Sequence, residues 1–229
     1  MIKRYERNLD SLSENEVLSL SFKKVCIAGC GGLGGYVIEH LARIGVGNLT
    51  VIDGDCFEES NLNRQILSDE NSLGMSKSET AKLRVSKINP FVNVKDYKVY
   101  LNEENSVEIF SGHDVIVDAL DNIKSKIMIQ ETCKKLNIPF VHGSIAGWYG
   151  QISTILPGDD TLNFIYKGLS DHGVEKVLGN LPFTASSVAS LQSAEVMKLL
   201  LGRGKLVRNT LLLVDLLNMG FDEIEFSSY

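Results

Sequence analysis

Gly29-Cys30-Gly31-Gly32-Leu33-Gly34 stands between an apolar run, Val25 to Ala28, and a stretch from Tyr36 to Ile44 whose apolar residues recur at helical spacing. Glycine admits backbone angles closed to other residues and lets main-chain N–H groups come close to a phosphate. The helix that follows adds the positive end of its dipole. A second apolar run, Leu49 to Ile52, closes on Asp53, which can accept hydrogen bonds from ribose hydroxyls. This is the pattern G-x-G-x-x-G in its strand, turn and helix context, with an acid about 20 positions further on. It predicts a nucleotide site, without separating NAD, FAD, SAM or ATP.

Other residues carry chemistry that suits phosphates and metals. Ser60-Asn61-Leu62-Asn63-Arg64-Gln65 is polar and turn-like at the carboxyl end of a strand, and Lys77 follows near a helix start. Arg64 can bind phosphate through two N–H groups, while Lys77 offers a compact point charge. Asp121-Asn122 ends a buried run, where a carboxylate is a normal oxygen ligand for Mg²⁺. Each has a plainer reading. Arg64 and Lys77 taken singly are usually exposed charges, Asp121-Asn122 also suits a helix cap, and Asp55 serves either a metal or its own turn. His142 reads as a satisfied core residue, Trp148 as a packing or tail-contact residue, and Cys30 as a small filler.

The elements that must position these groups alternate. After the first strand, helix and strand, Met75 to Ile88 reads as a helix capped by Ser76 or Ser78, and Val92 to Tyr100 as a strand. A short helix at Glu103 to Phe110, a buried strand at Val115 to Leu120 and a helix at Lys126 to Leu136 follow. Phe140 to His142 and Gln151 to Leu156 read as strands, Ser186 to Leu201 as a long helix, and residues 210–227 as a hairpin around Asn218-Met219-Gly220. Residues 158–180 read as a crossover-type loop, and residues 1–20 as a helical arm packed on the body or on a partner. The expectation is an α/β, Rossmann-like, doubly wound and mostly parallel sheet with a C-terminal antiparallel hairpin, forming one domain over residues 1–229.

At 44% hydrophobic and 23% charged residues, the chain has the make-up of an ordinary globular protein. A formal net charge of −6 argues against nucleic acid as a partner, because phosphate-backbone affinity depends on surplus Lys and Arg. No apolar run approaches membrane-spanning length and the N-terminus lacks an apolar signal core, so a cytoplasmic protein is expected. Cys26, Cys30, Cys56 and Cys133 include no C-x-x-C pair, which indicates neither a zinc site nor a disulfide framework.

The glycine turn, Leu49-Thr50-Val51-Ile52-Asp53-Gly54-Asp55, Ser60 to Gln65, Gly74-Met75-Ser76-Lys77 and Ala119-Leu120-Asp121-Asn122 closely resemble the ThiF/MoeB/HesA family. Those proteins are similar to ubiquitin-activating E1 enzymes. The likeness runs from Arg4-Tyr5-Glu6-Arg7 through Leu191 to Glu195 and on to the hairpin. It implies ATP-dependent adenylation of a carboxylate, usually the C-terminal glycine of a small ubiquitin-like sulfur carrier of the thiamine or molybdopterin type, ending in Gly-Gly.

Carried over by position, Gly29, Gly31, Gly32 and Gly34 form the cradle, Asp53 is the ribose ligand, and Asn61, Arg64 and Lys77 meet phosphate. Asp55, Gln65 and Asn122 join the nucleotide site, and Asp121 holds Mg²⁺. Arg7 is the arginine supplied across a homodimer. Two departures stand out. No cysteine follows Cys133, so the family's C-x-x-C zinc site and its loop nucleophile are absent from the sequence. Lys126 replaces the arginine that relatives commonly place five residues after the metal-binding aspartate. Three other readings remain open here: an E1-like enzyme acting on a peptide or other carboxylate, a family member that only binds, and a nicotinamide-dependent oxidoreductase sharing the glycine turn.

Overall fold

The computed structural model describes residues 3–168 and 175–226. Eight strands form one sheet in the order β3-β2-β1-β4-β5-β6-β7-β8. Strands β1 (Lys24–Ala28), β2 (Asn48–Ile52), β3 (Asn93–Tyr97), β4 (Val115–Asp118) and β5 (Phe140–Ala146) pair in parallel. Strands β6 (Tyr149–Ile155), β7 (Thr210–Asp215) and β8 (Gly220–Glu225) extend the sheet antiparallel. The mostly parallel sheet with a C-terminal antiparallel hairpin is therefore observed.

The continuous apolar runs follow from cover on both faces. Val25 and Ile27 of β1 enter one core with Val37, Ile38 and Leu41 of α2 (Gly32–Ile44), Val85 of α3 (Lys77–Ile88), and Val188 and Val196 of α8 (Pro182–Leu201). Cys26 and Ala28 enter the other, with Phe110 of α4 (Glu103–Phe110) and Ile129 and Cys133 of α5 (Ile123–Leu136). Alternate residues of one strand thus feed opposite layers, and every position on β1 after Lys24 is buried and apolar.

Connections from β1 run outward through β2 to β3 on one side and through β4 to β5 on the other. The order reverses between β1 and β4, which opens a crevice at the carboxyl ends of those two strands. Helix α2 begins in that crevice. A Cβ on Gly34 would lie 1.8 Å from the carbonyl oxygen of Gly29, so only glycine lets the helix seat there. Gly29 itself turns the chain at φ 100°.

Several expected boundaries shift. The N-terminal arm is not one helix: a 3₁₀ turn, Lys3–Asn8, and α1 (Glu14–Leu20) are separated at Asp10, whose φ is 74°. Ser13 caps α1 reciprocally with Glu16, which starts a new helix there. Helix α8 begins at Pro182, four residues before Ser186, because proline is accommodated in a first turn. Strand β3 stops at Tyr97, and the chain from Lys98 to Leu101 leaves the sheet at its carboxyl end. The stretch 158–180 contains α6 (Thr161–Ile165) and α7 (Glu175–Leu178), while its residues 169–174 lie outside the described residues. So do Met1 and Ile2 of the arm and Ser227 of the hairpin.

The Gly34 contact yields a sharp expectation. Gly34→Ala should cost more than ~4 kcal/mol in urea unfolding, because backbone must move at the centre of the fold. Gly220→Ala, where an added Cβ meets nothing within 4 Å, should change stability by less than ~1 kcal/mol. Equal stabilities would mean that α2 does not sit as described.

Candidate active site

A cavity of about 430 Å³ occupies the crevice. Its walls come from successive carboxyl ends: Gly29, Gly31 and Gly32 after β1, Asp53 to Asp55 after β2, Val99 to Leu101 after β3, and Ala119 to Asn122 after β4. Ser144 and Ile145 of β5 close one end with Asn180, and Arg64, Gln65 and Lys77 also line it. Ten residues expected at the site thus meet there: Gly29, Gly31, Gly32, Asp53, Asp55, Arg64, Gln65, Lys77, Asp121 and Asn122.

Gly31 is the N-cap of α2 and offers no side-chain acceptor, so the helix's first N–H groups are left for whatever enters the cavity. Asp53 joins the turn to β2. One of its oxygens accepts from the Cys30 N–H at 2.8 Å and the other from the Asp55 N–H at 2.9 Å. Burial raises its pKa and outweighs those two bonds. Asp55 goes the other way: burial is outweighed by the Tyr100 hydroxyl, at 2.6 Å, and the Lys77 ammonium, at 3.2 Å, and the carboxyl is held below its usual range.

Lys77, the first residue of α3, is buried. Arg64 carries its stem over Gly32, whose ideal Cβ would lie 3.7 Å from Arg64 Cγ. Its guanidinium donates to the Ser60 carbonyl and to Asn63 Oδ1, each at 2.9 Å. Among the described residues no carboxylate lies within ion-pair distance of it, so its charge is left for a ligand.

Three expected residues stand off the cavity wall. Gly34 packs α2 on the turn. Asn61 is buried and caps its own turn, accepting from the Glu58 N–H through Oδ1, while its carbonyl holds the N–H groups of Arg64 and Gln65. It therefore aims Arg64 and Gln65 from beneath. Arg7 lies in the N-terminal turn, which docks by Tyr5 against Gly45 and by Arg4 against Ile88 and Asn89. Those contacts are at the far end of α2, whose 13 residues span about 20 Å.

The site would suit a nucleotide with Mg²⁺ on its own terms. Asp121 is exposed on the wall, and among the described residues its carboxylate meets only a 3.5 Å contact from Asn122. The amide oxygen of Gln65, buried beside Gly31, has no partner among the described residues. Tyr100 covers Gly54, where an added Cβ would sit 2.8 Å from its ring, and gives the cavity an aromatic rim. Sequence reasoning passed over Tyr100. The available signal was an aromatic immediately beyond a strand that ends at the crevice.

It also passed over Asp118, an acid inside an apolar run. Asp118 is fully buried and takes Lys126 Nζ at 3.0 Å and His142 Nδ1 at 2.7 Å on one oxygen, while the other accepts from the Leu120 N–H. Lys126 also donates to the Gly143 carbonyl at 3.0 Å. It thus turns into the core and is not among the residues that line the cavity. His142 is the satisfied core residue expected, reaching Tyr166 at 3.1 Å through Nε2. Burial raises the Asp118 pKa, but Lys126 and His142 outweigh it and the net shift is downward. Burial lowers that of His142, against the Asp118 bond.

Known proteins share this frame. A family model described as the ThiF family matches residues 5–229. The chain is 34% identical over 233 residues to the SAMP-activating enzyme E1 of Haloferax volcanii, covering 98% of this chain and 85% of that one. It is 33% identical over 229 residues to the molybdopterin-synthase adenylyltransferase of Haemophilus influenzae, covering 97% and 93%. A crystal structure of E. coli MccB with ATP superposes with a TM-score of 0.84 at 22% identity, over 98% of this chain and 72% of that one, which establishes the fold.

The buried network sets a pH dependence. His142 in the unfolded chain titrates near about 6.5, and its folded value lies lower. Between those values the unfolded state binds a proton that the native state refuses. Stability should therefore fall as pH drops below about 6.5, by up to ~1.4 kcal/mol per pH unit. Burial also lowers His40 and His113, so the informative comparison is His142→Asn, which keeps a donor toward Asp118. It should be less stable at pH 7.5 with a shallower decline toward pH 5, read from urea unfolding at each pH. Parallel curves would mean that His142 binds protons alike in the native and unfolded chains, so that folding does not lower its pKa.

Proposed function

The chain belongs to the ThiF family, and on that premise we propose that it is an ATP-dependent adenylyltransferase that activates the C-terminal carboxylate of a small ubiquitin-like carrier ending in Gly-Gly. The observation that carries this reading is the convergence of Asp53, Arg64, Lys77 and Asp121 on the cavity into which α2 opens. The two relatives, matched over nearly their whole length, are named for such an activity. A nicotinamide site would need Asp53 and the glycine turn but not the cations.

The chemistry joins anion to anion. A carboxylate oxygen attacks the α-phosphorus of ATP, a new P–O bond forms, the bond to the bridging oxygen breaks, and pyrophosphate leaves with its electrons. Asp53 accepts from the ribose hydroxyls. The α2 amides above Gly31 receive phosphate oxygens, and Arg64 and Lys77 neutralise charge that builds in the transition state. Asp121 would hold Mg²⁺, which would supply further neutralisation of phosphate charge. No side chain acts as a nucleophile in this half-reaction. Because no cysteine follows Cys133, the proposal includes no zinc and an acceptor outside this chain.

Arg7 completes the site in trans. Its own cavity lies about a helix length away, along α2, so a two-fold homodimer is the arrangement that delivers it to a partner's phosphates.

Purified protein should catalyse ATP–pyrophosphate exchange with a suitable Gly-Gly carrier, and calorimetry should show Mg·ATP bound well above NADH. Tight NADH binding without a response to ATP would sink the reading. Asp121→Ala should lose at least about a hundredfold in exchange while keeping its circular dichroism, since it touches no core. Mixed and re-equilibrated Arg7→Ala and Asp121→Ala subunits, each inactive alone, should recover about a quarter of wild-type activity, because half the dimers are mixed and each then has one intact site of two. No recovery despite demonstrated subunit exchange would mean that Arg7 acts within its own chain or not at all.

A further inference from the structure

Asn180 is the one wall residue contributed from the segment between α7 and α8, and no motif pointed to it. Its backbone is fixed on two sides. Gly147, in the β5–β6 turn, bridges to Asn180 in parallel and donates to the Gly179 carbonyl at 2.7 Å. Asn63 Nδ2 donates to the Asn180 carbonyl at 3.1 Å. With the main chain held, Asn180 lines the cavity, and its amide oxygen is buried without a partner among the described residues. Buried carbonyl oxygens nearly always have donors, so an unpaired one in a cavity-lining residue, reached by a turn of its amide, is placed for a donor that arrives with a ligand.

Its neighbours say which part of the ligand this is. Asn63, which holds the Asn180 carbonyl, also accepts from the Arg64 guanidinium at 2.9 Å. One side chain therefore links Asn180 to the group that faces phosphate, and Ser144 and Ile145 line the same end of the cavity. Tyr100 and Asp53, the rim and ribose side, belong to strands across the crevice. Gln65, the other open amide on the wall, lies beside Gly31 in the nucleotide half.

A carboxylate offers no proton to an amide oxygen, and neither does a phosphate. In a peptide, the first donor behind the activated carboxylate is the N–H of the last peptide bond. Resting on the adenylation reading, we infer that Asn180 accepts that N–H, so that the site selects a peptide C-terminus over a simple carboxylic acid. Asn180 is then a specificity-determining residue at the junction of tail and phosphate.

The test uses the full chain and stable mimics of the acyl-adenylate: sulfamoyladenosine acylated with glycylglycine, the same molecule with the peptide nitrogen methylated, and bare sulfamoyladenosine. By calorimetry the wild type should bind the glycylglycyl compound about tenfold more tightly than its N-methyl counterpart, the loss expected for one neutral hydrogen bond. Asn180→Leu should bind those two equally and bare sulfamoyladenosine as the wild type does. Asn180→Ala serves the same comparison if leucine is not accommodated. An N-methyl penalty that persists in both variants would overturn the inference, because it would be steric. Weaker binding of bare sulfamoyladenosine by the variants would assign Asn180 to the nucleotide and also overturn it. Failure of the wild type to bind any of the three would instead overturn the adenylation reading beneath it.

Discussion

The approach of α2 to the Gly29 carbonyl, possible only because Gly34 has no Cβ, is the contact on which the rest of the site depends. It brings a helix N-terminus with no side-chain cap to the point where the strand order reverses. An uncapped N-terminus carries roughly half a unit of positive charge and several N–H groups that need acceptors. Inside a packed sheet such an end would be a defect. At the crevice it faces the cavity, and Asp53 ties the turn to β2 by taking the Cys30 and Asp55 N–H groups.

The charges around that point are arranged against the chain's acidic balance. Lys77 is buried and leans on Asp55, whose carboxylate is shared with Tyr100. Among the described residues, the Arg64 guanidinium is held by a carbonyl and an amide oxygen. The two cations therefore differ: Lys77 is paired in place with Asp55, whereas Arg64 has no carboxylate within ion-pair distance among the described residues. The cavity wall also carries Asp53, Asp55 and Asp121, so its two cations act locally within an acidic chain whose formal net charge is −6.

Beneath the wall, Asp118, Lys126 and His142 bind β4, α5 and β5 to one another through a single carboxylate oxygen. A buried ion pair of this kind is weak evidence for stability, since desolvation opposes it. Its geometry has a clear consequence nonetheless. The second oxygen of Asp118 takes the Leu120 N–H, which fixes the turn carrying Asp121, and Gln192 of α8 donates to the Asp118 carbonyl at 2.9 Å. Tyr166 joins through His142, so the polar core reaches from the cavity wall to the chain just beyond α6.

The glycine turn, the alternation of strands and helices, and the ordered motifs at Asp53, Arg64, Lys77 and Asp121 were legible in the sequence because each is a local pattern. A turn needing φ 100° selects glycine, a strand covered on both faces selects a continuous apolar run, and a cap selects serine or asparagine at the helix start. Boundaries that depend on competing local bonds, such as the break at Asp10 and the start of α8 at Pro182, were read less well.

What tertiary structure alone decided are partnerships across long separations. Lys126 matches a family position in sequence, yet a buried aspartate eight residues earlier and a carbonyl 17 residues later turn it inward. Asn61 belongs to a phosphate motif, yet its side chain serves its own turn. Asn180 carries no motif and reaches the wall because a glycine bridge and a side chain 117 residues away hold it there. Spacing specifies what a residue can do to its near neighbours, whereas burial and the unpaired oxygen of Asn180 exist only once distant segments have been packed together.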